Sequence, residues 1–163
     1  MLALAAQEGC AVSAVNPTVE HQIGRYGTIT GKHQPGQIGI YQVEKIIEKP
    51  SLSTAELELQ TPGLRMGYYL CFFGMHVLTP AIFPILQQHL DQGSANILLT
   101  PALQELAATD KYLALEVRGS RYDLSRKHGL LRAQIALGLA GEAHDETLTT
   151  LVELLAEANS RKA

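Results

Sequence analysis

Runs of β-branched and aromatic residues alternate along this chain with stretches in which apolar side chains recur every three or four positions, and that alternation limits the fold more than any single motif does. Strands are expected at 11–15, 26–30, 38–48, 66–73 and 112–117, each bounded by Gly, Pro or Asn. Helical patterns fall around them. One ends near Ala6 with Gly9 as its C-cap, a short one covers 52–59, and two begin at Thr-Pro pairs, which supply an N-cap and an N1 proline. After Thr79 the apolar face is Ile82, Ile85, Leu86 and Leu90; after Thr100 and Pro101 it is Leu103, Leu106 and Ala107. A helix starting at Ser125 or Arg126 carries Leu131, Ile135 and Leu139. A last one, capped by Asp145, carries Leu148, Leu151, Val152 and Leu155, with Arg161 and Lys162 at its end. Strands alternating with helices predict an α/β fold on a mostly parallel sheet, with the glycine-rich 26–48 region as a β-hairpin attached to it.

With 163 residues and 46% hydrophobic content the chain is long enough to bury a real core. Its formal net charge of −3 and the lack of a Lys/Arg cluster argue against a nucleic-acid partner. Cys10 and Cys71 have no ligand spacing and lie in apolar segments, so they read as reduced core thiols of a cytoplasmic protein. Apolar stretches such as 66–78 are short and broken by glycine, which predicts no membrane span, and the opening residues lack the basic region of a signal peptide. There is no GxSxG, HExxH, P-loop or GxGxxG, and the six histidines show no i, i+4 pair that would make a zinc site. No hexapeptide repeat follows the α/β part.

What remains is charge at strand ends, where open α/β sheets bind ligands. In "IIEKP", residues 46–50, Glu48 and Lys49 close a strand, and Pro50 is expected to hold Lys49 in extended backbone. A carboxylate there suits sugar hydroxyls and an ammonium suits a phosphate. Read alone, the pair favours an ordinary solvated strand end, since charge at surface ends is the rule. Asp123 either caps the helix that follows or holds Mg²⁺ beside phosphates. Tyr26-Gly27 and Gly74 either allow backbone to approach a ligand or serve a turn or bulge.

In order, "RYGTI", "IIEKP", "FGMHVLTPAIFPIL", "NILLTPALQEL" and "GSRYDLSRKHGLLRAQ" resemble the second half of nucleotide-sugar pyrophosphorylases, most closely UTP:glucose-1-phosphate uridylyltransferases, over about residues 10–140. The resemblance implies the C-terminal half of a Rossmann-like nucleotidyltransferase sheet, with flanking helices and a hairpin and without the nucleotide-binding N-terminal half. It divides the chain into a sugar-phosphate-binding part, 1–141, and a C-terminal helix, 142–163. By the same resemblance, Glu48 binds sugar hydroxyls and Lys49 the sugar phosphate. Tyr26, Gly27 and Gly74 close on the hexose, and Asp123 shares Mg²⁺ with a second aspartate. The implied substrates are glucose 1-phosphate or a related sugar 1-phosphate and, through the missing half, UTP or another NTP. The family's glycine-rich GxGTR-type loop has no counterpart here; Asn96 and Pro101 stand where it has acidic residues, and Ser125 where it has glycine. The chain is thus expected to be inactive alone and to expose an apolar sheet flank, which favours a homo-oligomer. The alternative is a non-catalytic oligomerisation or regulatory module of the same ancestry.

Overall fold

The computed structural model describes residues 1–93 and 98–161, so Asn96 and Lys162 lie outside the described residues. In chain order the elements are α1 (Leu2–Glu8), β1 (Ala11–Val19), a 3₁₀ segment (Glu20–Arg25), β2 (Gly27–His33), β3 (Ile40–Glu48), α2 (Leu52–Glu58), β4 (Tyr68–Val77), α3 (Ile82–Asp91), α4 (Leu99–Thr109), β5 (Tyr112–Glu116), α5 (Gly129–Ala140) and α6 (His144–Ser160). The fold is therefore α/β, and every strand expected from the sequence is present. Local chemistry explains several boundaries. Gly9 ends α1 in the left-handed region, at φ 62°. Ser51 caps α2, its hydroxyl accepting from the Thr54 amide at 3.1 Å.

The sheet is not mostly parallel. Its order is β1-β4-β2-β3-β5, closed by pairing of β5 with β1. Among the described residues only that closing pair is parallel; β1–β4, β4–β2, β2–β3 and β3–β5 run antiparallel. The hairpin expected at 26–48 forms, but it sits inside the sheet, between β4 and β5. Because the order closes on itself, the described strands leave no sheet edge of the kind expected to be exposed.

The largest core cluster joins Val15, Ile29, Tyr41, Val43, Leu70 and Tyr112 from the sheet to Ile82 of α3 and Ala102, Leu103 and Leu106 of α4. Fully burying such a side chain is worth about 1.5–3 kcal/mol, which explains why the faces read for these two helices are the ones that pack. Leu90 is the exception and stays half exposed. A second cluster, with Ile23, Ala55, Leu59, Tyr69 and Cys71, packs α2 and the 3₁₀ segment onto the sheet, and a third holds Cys10, Val12 and Leu113 beside α1. Both cysteines are buried thiols outside any disulfide, and burial pushes the Cys10 thiol up.

The chain forms two compact units, Met1–Arg118 and Gly119–Ala163, which groups α5 with α6. In the second unit α5 starts later than expected, after His128 in the left-handed region (φ 65°). The residues read as its first turn instead wrap into a tight bend: a Cβ on Gly129 would lie 2.0 Å from the Asp123 carbonyl oxygen. Helix α6 begins at His144 and is not capped by Asp145, which with Glu146 still lies in the first turn, where the helix dipole favours negative charge.

Candidate functional site

The open end of the β2–β3 hairpin collects four of the residues singled out in the sequence. Gly27 and Glu48 are cross-strand partners. One step beyond the strand, the Lys49 amide donates to the Tyr26 carbonyl at 3.1 Å. The Tyr26 ring packs against the cluster around Ile23 and Leu59, so at this end Tyr26 contributes its backbone.

Lys49 departs from expectation. Its φ is 46°, left-handed and not extended, although a following proline favours extended backbone. The ladder hydrogen bond to Tyr26 holds it there while the chain turns toward Ser51 and α2. A non-glycine residue in this region costs about 1–2 kcal/mol, and such strain tends to be kept where a side chain must be aimed.

Helix α4 fixes the Glu48 carboxylate. Thr100, in its first turn, donates its hydroxyl to Glu48 Oε2 at 2.6 Å. Thr100 was expected to cap the helix, but the cap position is Leu98, and the hydroxyl is spent on the strand end instead. Pro101 still costs the helix nothing, because the amides of the first turn have no intrahelical acceptor. The other carboxylate oxygen, Glu48 Oε1, lies 3.9 Å from Lys49 Nζ, beyond direct hydrogen-bond reach. With side chains 36% and 62% exposed, Glu48 and Lys49 present an acceptor and a cation to solvent side by side.

Gly27 has no room for a side chain: a Cβ would stand 2.7 Å from Phe72 Cδ2 and 3.0 Å from Glu48 Oε2. Gly74, further along β4, has φ +89° and open space where its Cβ would be. It lies where the β1–β4 register slips between Ser13 and Val15, so it serves a bulge and also leaves the backbone bare.

Asp123 lies in the other unit. Its Oδ1 accepts from the Ser125 amide at 3.0 Å and from the Ser125 hydroxyl at 2.5 Å, an Asx-type turn that orders the bend before α5. Among the described residues no three His, Cys, Asp or Glu side chains cluster as metal ligands. Asp123 offers one carboxylate, and Mg²⁺ beside phosphates is held by one or two carboxylates together with phosphate oxygens.

Sequence reading missed a polar cluster one ring away from Gly27. Phe72, which abuts Gly27, meets His76 edge-on with centroids 5.1 Å apart. His76 Nδ1 is 2.5 Å from Ser13 Oγ, and Ser13 is hydrogen-bonded to the Tyr112 hydroxyl. No local signal joins residues on three different strands. Burial lowers the His76 pKa from its ordinary value. A histidine that resists protonation when folded makes the native state bind fewer protons than the unfolded chain near its ordinary pKa. The His76 contribution is therefore complete above about pH 6.5, the unfolded value, and is lost as pH falls from there through the lower folded value. Urea unfolding at pH 7.5 and pH 5 should show a smaller acid loss in His76→Gln than in the parent. Equal losses would remove His76 from the balance.

No protein-family model matches the chain. Curated relatives do: a UTP–glucose-1-phosphate uridylyltransferase of Streptococcus pneumoniae is 30% identical over 142 residues, 86% of this chain and 44% of that protein. A second, from Staphylococcus saprophyticus, is 31% identical over 149 residues, 91% of this chain and 47% of the relative. Among solved structures, a UDP-glucose pyrophosphorylase complexed with UDP-glucose superposes with a TM-score of 0.66 at 26% identity, over 82% of this chain and 46% of the other. The Acinetobacter baumannii UDP-glucose pyrophosphorylase shares the fold at a TM-score of 0.71 and 24% identity. The chain thus belongs with the nucleotide-sugar pyrophosphorylases. Within them it is a partial counterpart of the UTP–glucose-1-phosphate uridylyltransferases, spanning about half the length of the curated relatives it matches. No helix among the described residues is long and apolar enough to cross a membrane.

Proposed function

We propose that this chain is the C-terminal, sugar-phosphate-binding part of a nucleotidyltransferase that joins a sugar 1-phosphate to an NTP, forming a nucleotide-sugar and pyrophosphate. UDP-glucose is the product that its relatives' names suggest. The observation that carries the reading is the hairpin end itself, where Thr100 aims the Glu48 carboxylate, Lys49 sits beside it in strained backbone, and any side chain at Gly27 would press on Glu48 and Phe72. Glu48 accepts hydrogen bonds from sugar hydroxyls. Lys49 neutralises the sugar phosphate, whose oxygen attacks the α-phosphorus of the nucleotide in line with the departing pyrophosphate; positioning and charge neutralisation supply most of the rate in such a transfer. The bare backbone at Gly74 gives the hexose ring a flat approach.

The nucleotide side of the reaction has no counterpart of its glycine-rich loop in these residues, and Mg²⁺ enters the reading only as a partner of Asp123 together with a carboxylate from elsewhere. In this proposal the chain binds sugar phosphate and does not turn over alone. Calorimetric titration with glucose 1-phosphate should show binding that Lys49→Ala weakens about tenfold, the loss of one charge-assisted contact of roughly 1.5 kcal/mol. Thr100→Val, which frees Glu48 to move, should weaken it severalfold. Pyrophosphate release from UTP and glucose 1-phosphate should stay at background. Equal binding by the parent and Lys49→Ala would remove Lys49 from the site, and turnover by the chain alone would overturn the division of labour.

A further inference from the structure

Three polar side chains in the sheet leave little freedom in where their protons lie. Tyr112 on β5 and Ser13 on β1 are fully buried and hydrogen-bonded to one another, hydroxyl to hydroxyl. The Tyr112 hydroxyl has no other partner among the described residues, and the one further partner of Ser13 is His76 Nδ1, on β4, at 2.5 Å. Each hydroxyl carries one proton. If the Tyr112 proton did not go to Ser13 Oγ it would be buried without an acceptor, at a cost of about 1–3 kcal/mol. Ser13, already accepting, then satisfies its own proton only by donating to His76 Nδ1. The order Tyr112 to Ser13 to His76 leaves Nδ1 unprotonated and puts the ring proton on Nε2, a tautomer imposed from inside the sheet. The burial that lowers the His76 pKa acts in the same direction, keeping the ring neutral.

Nε2 has no hydrogen-bond partner among the described residues. Its ring stands against Phe72, which on another side abuts Gly27, the cross-strand partner of Glu48. Two residues before His76 on the same strand, Gly74 leaves open space. We propose that His76 is a substrate-recognition residue, presenting Nε2–H as a neutral, orientation-fixed donor to a hydroxyl of the sugar 1-phosphate held by Glu48 and Lys49. This rests on the sugar-phosphate reading of that site and adds a residue to it. The division of chemistry follows from charge: the lysine ammonium matches the phosphate, the carboxylate takes hydroxyl protons, and a neutral imidazole with a fixed N–H gives a hydroxyl oxygen the donor that neither of the others offers as a neutral group.

The test is ¹⁵N NMR of the histidine-labelled chain at pH 8, with the His76 signals assigned by their absence in His76→Gln. The expected spectrum has a pyridine-type Nδ1 and a pyrrole-type Nε2, and glucose 1-phosphate moves the Nε2 signal while inorganic phosphate does not. The double variant S13A/Y112F removes both buried hydroxyls together, so neither is stranded. It should show mixed tautomers and bind glucose 1-phosphate about fivefold more weakly, one neutral hydrogen bond's worth, with inorganic phosphate unchanged. A proton on Nδ1 in the parent overturns the relay. Glucose 1-phosphate binding that depends on Lys49 but leaves Nε2 unmoved, or an equal shift with inorganic phosphate, overturns the role of His76 and leaves the proposed function standing. No binding of glucose 1-phosphate at all overturns both.

Discussion

Gly31→Ala should be the most damaging single-methyl substitution in the β2–β3 hairpin, lowering stability by about 3 kcal/mol, the upper end of the overpacking range. A Cβ there would lie 2.2 Å from the Gln42 carbonyl oxygen, 2.9 Å from its carbon and 3.3 Å from Val43 Cα. All three are backbone atoms, so no rotamer change relieves the clash and the two strands must separate. The site is also where the hairpin register slips, between Thr30 and Gly31, so the glycine permits the bulge that bends the hairpin into the closed sheet. For a chain of this size the loss corresponds to a fall in Tm of roughly 6–12 °C. Gly36→Ala is the natural control: its φ of +75° penalises any side chain, but nothing lies within 4 Å of the added methyl. Thermal unfolding followed by circular dichroism should place Gly36→Ala between the parent and Gly31→Ala. A Gly31→Ala variant that melts with the parent would mean that the hairpin is not bent as described.

Gly27→Ala is expected to do less to the fold and more to the site. Its methyl meets Phe72 at 2.7 Å and Glu48 Oε2 at 3.0 Å, and both are side-chain atoms that can yield. The stability cost should therefore fall at about 1–2 kcal/mol. The yielding is what matters, because Glu48 moves off the Thr100 hydroxyl that aims it and Phe72 moves into the space that His76 shares. Affinity for glucose 1-phosphate should drop tenfold or more, a larger effect than Lys49→Ala, since two recognition elements shift together. Titration of a variant shown by circular dichroism to be folded separates the two effects. Unchanged affinity would show that the hairpin end is not where the sugar phosphate sits.

Features set by neighbours in sequence were legible before any coordinates. Gly9 as a C-cap, the faces of α3 and α4, and a hairpin in the glycine-rich segment all follow from local propensity and periodicity. Features set by partners far along the chain were not. A Thr-Pro pair ahead of an apolar stripe reads as a cap, and nothing near Thr100 reveals that Glu48, 52 residues away, takes its hydroxyl. The steric rule for residues before proline describes an unconstrained dipeptide; at Lys49 the ladder bond to Tyr26 overrides it. Alternating strands and helices predict parallel pairing only when each helix carries the chain back to the same end of the sheet. Here the hairpin inserts between β4 and β5, and a single parallel contact survives.

That single contact has a consequence for how the molecule is made. Strand β1 is bonded on one side to β4 and on the other to β5, and the latter pairing joins Ala11 to Tyr112 across most of the first unit. As the chain leaves the ribosome, β1 emerges well before β5 and must wait with one flank uncovered until β5 has been synthesised. Closure then demands a long loop before any of its contacts form, so assembly is governed by distant encounters and is slow relative to a helical protein of equal size. Until then, Val12 and Val15, fully enclosed once β5 arrives, are surfaces for a chaperone to cover.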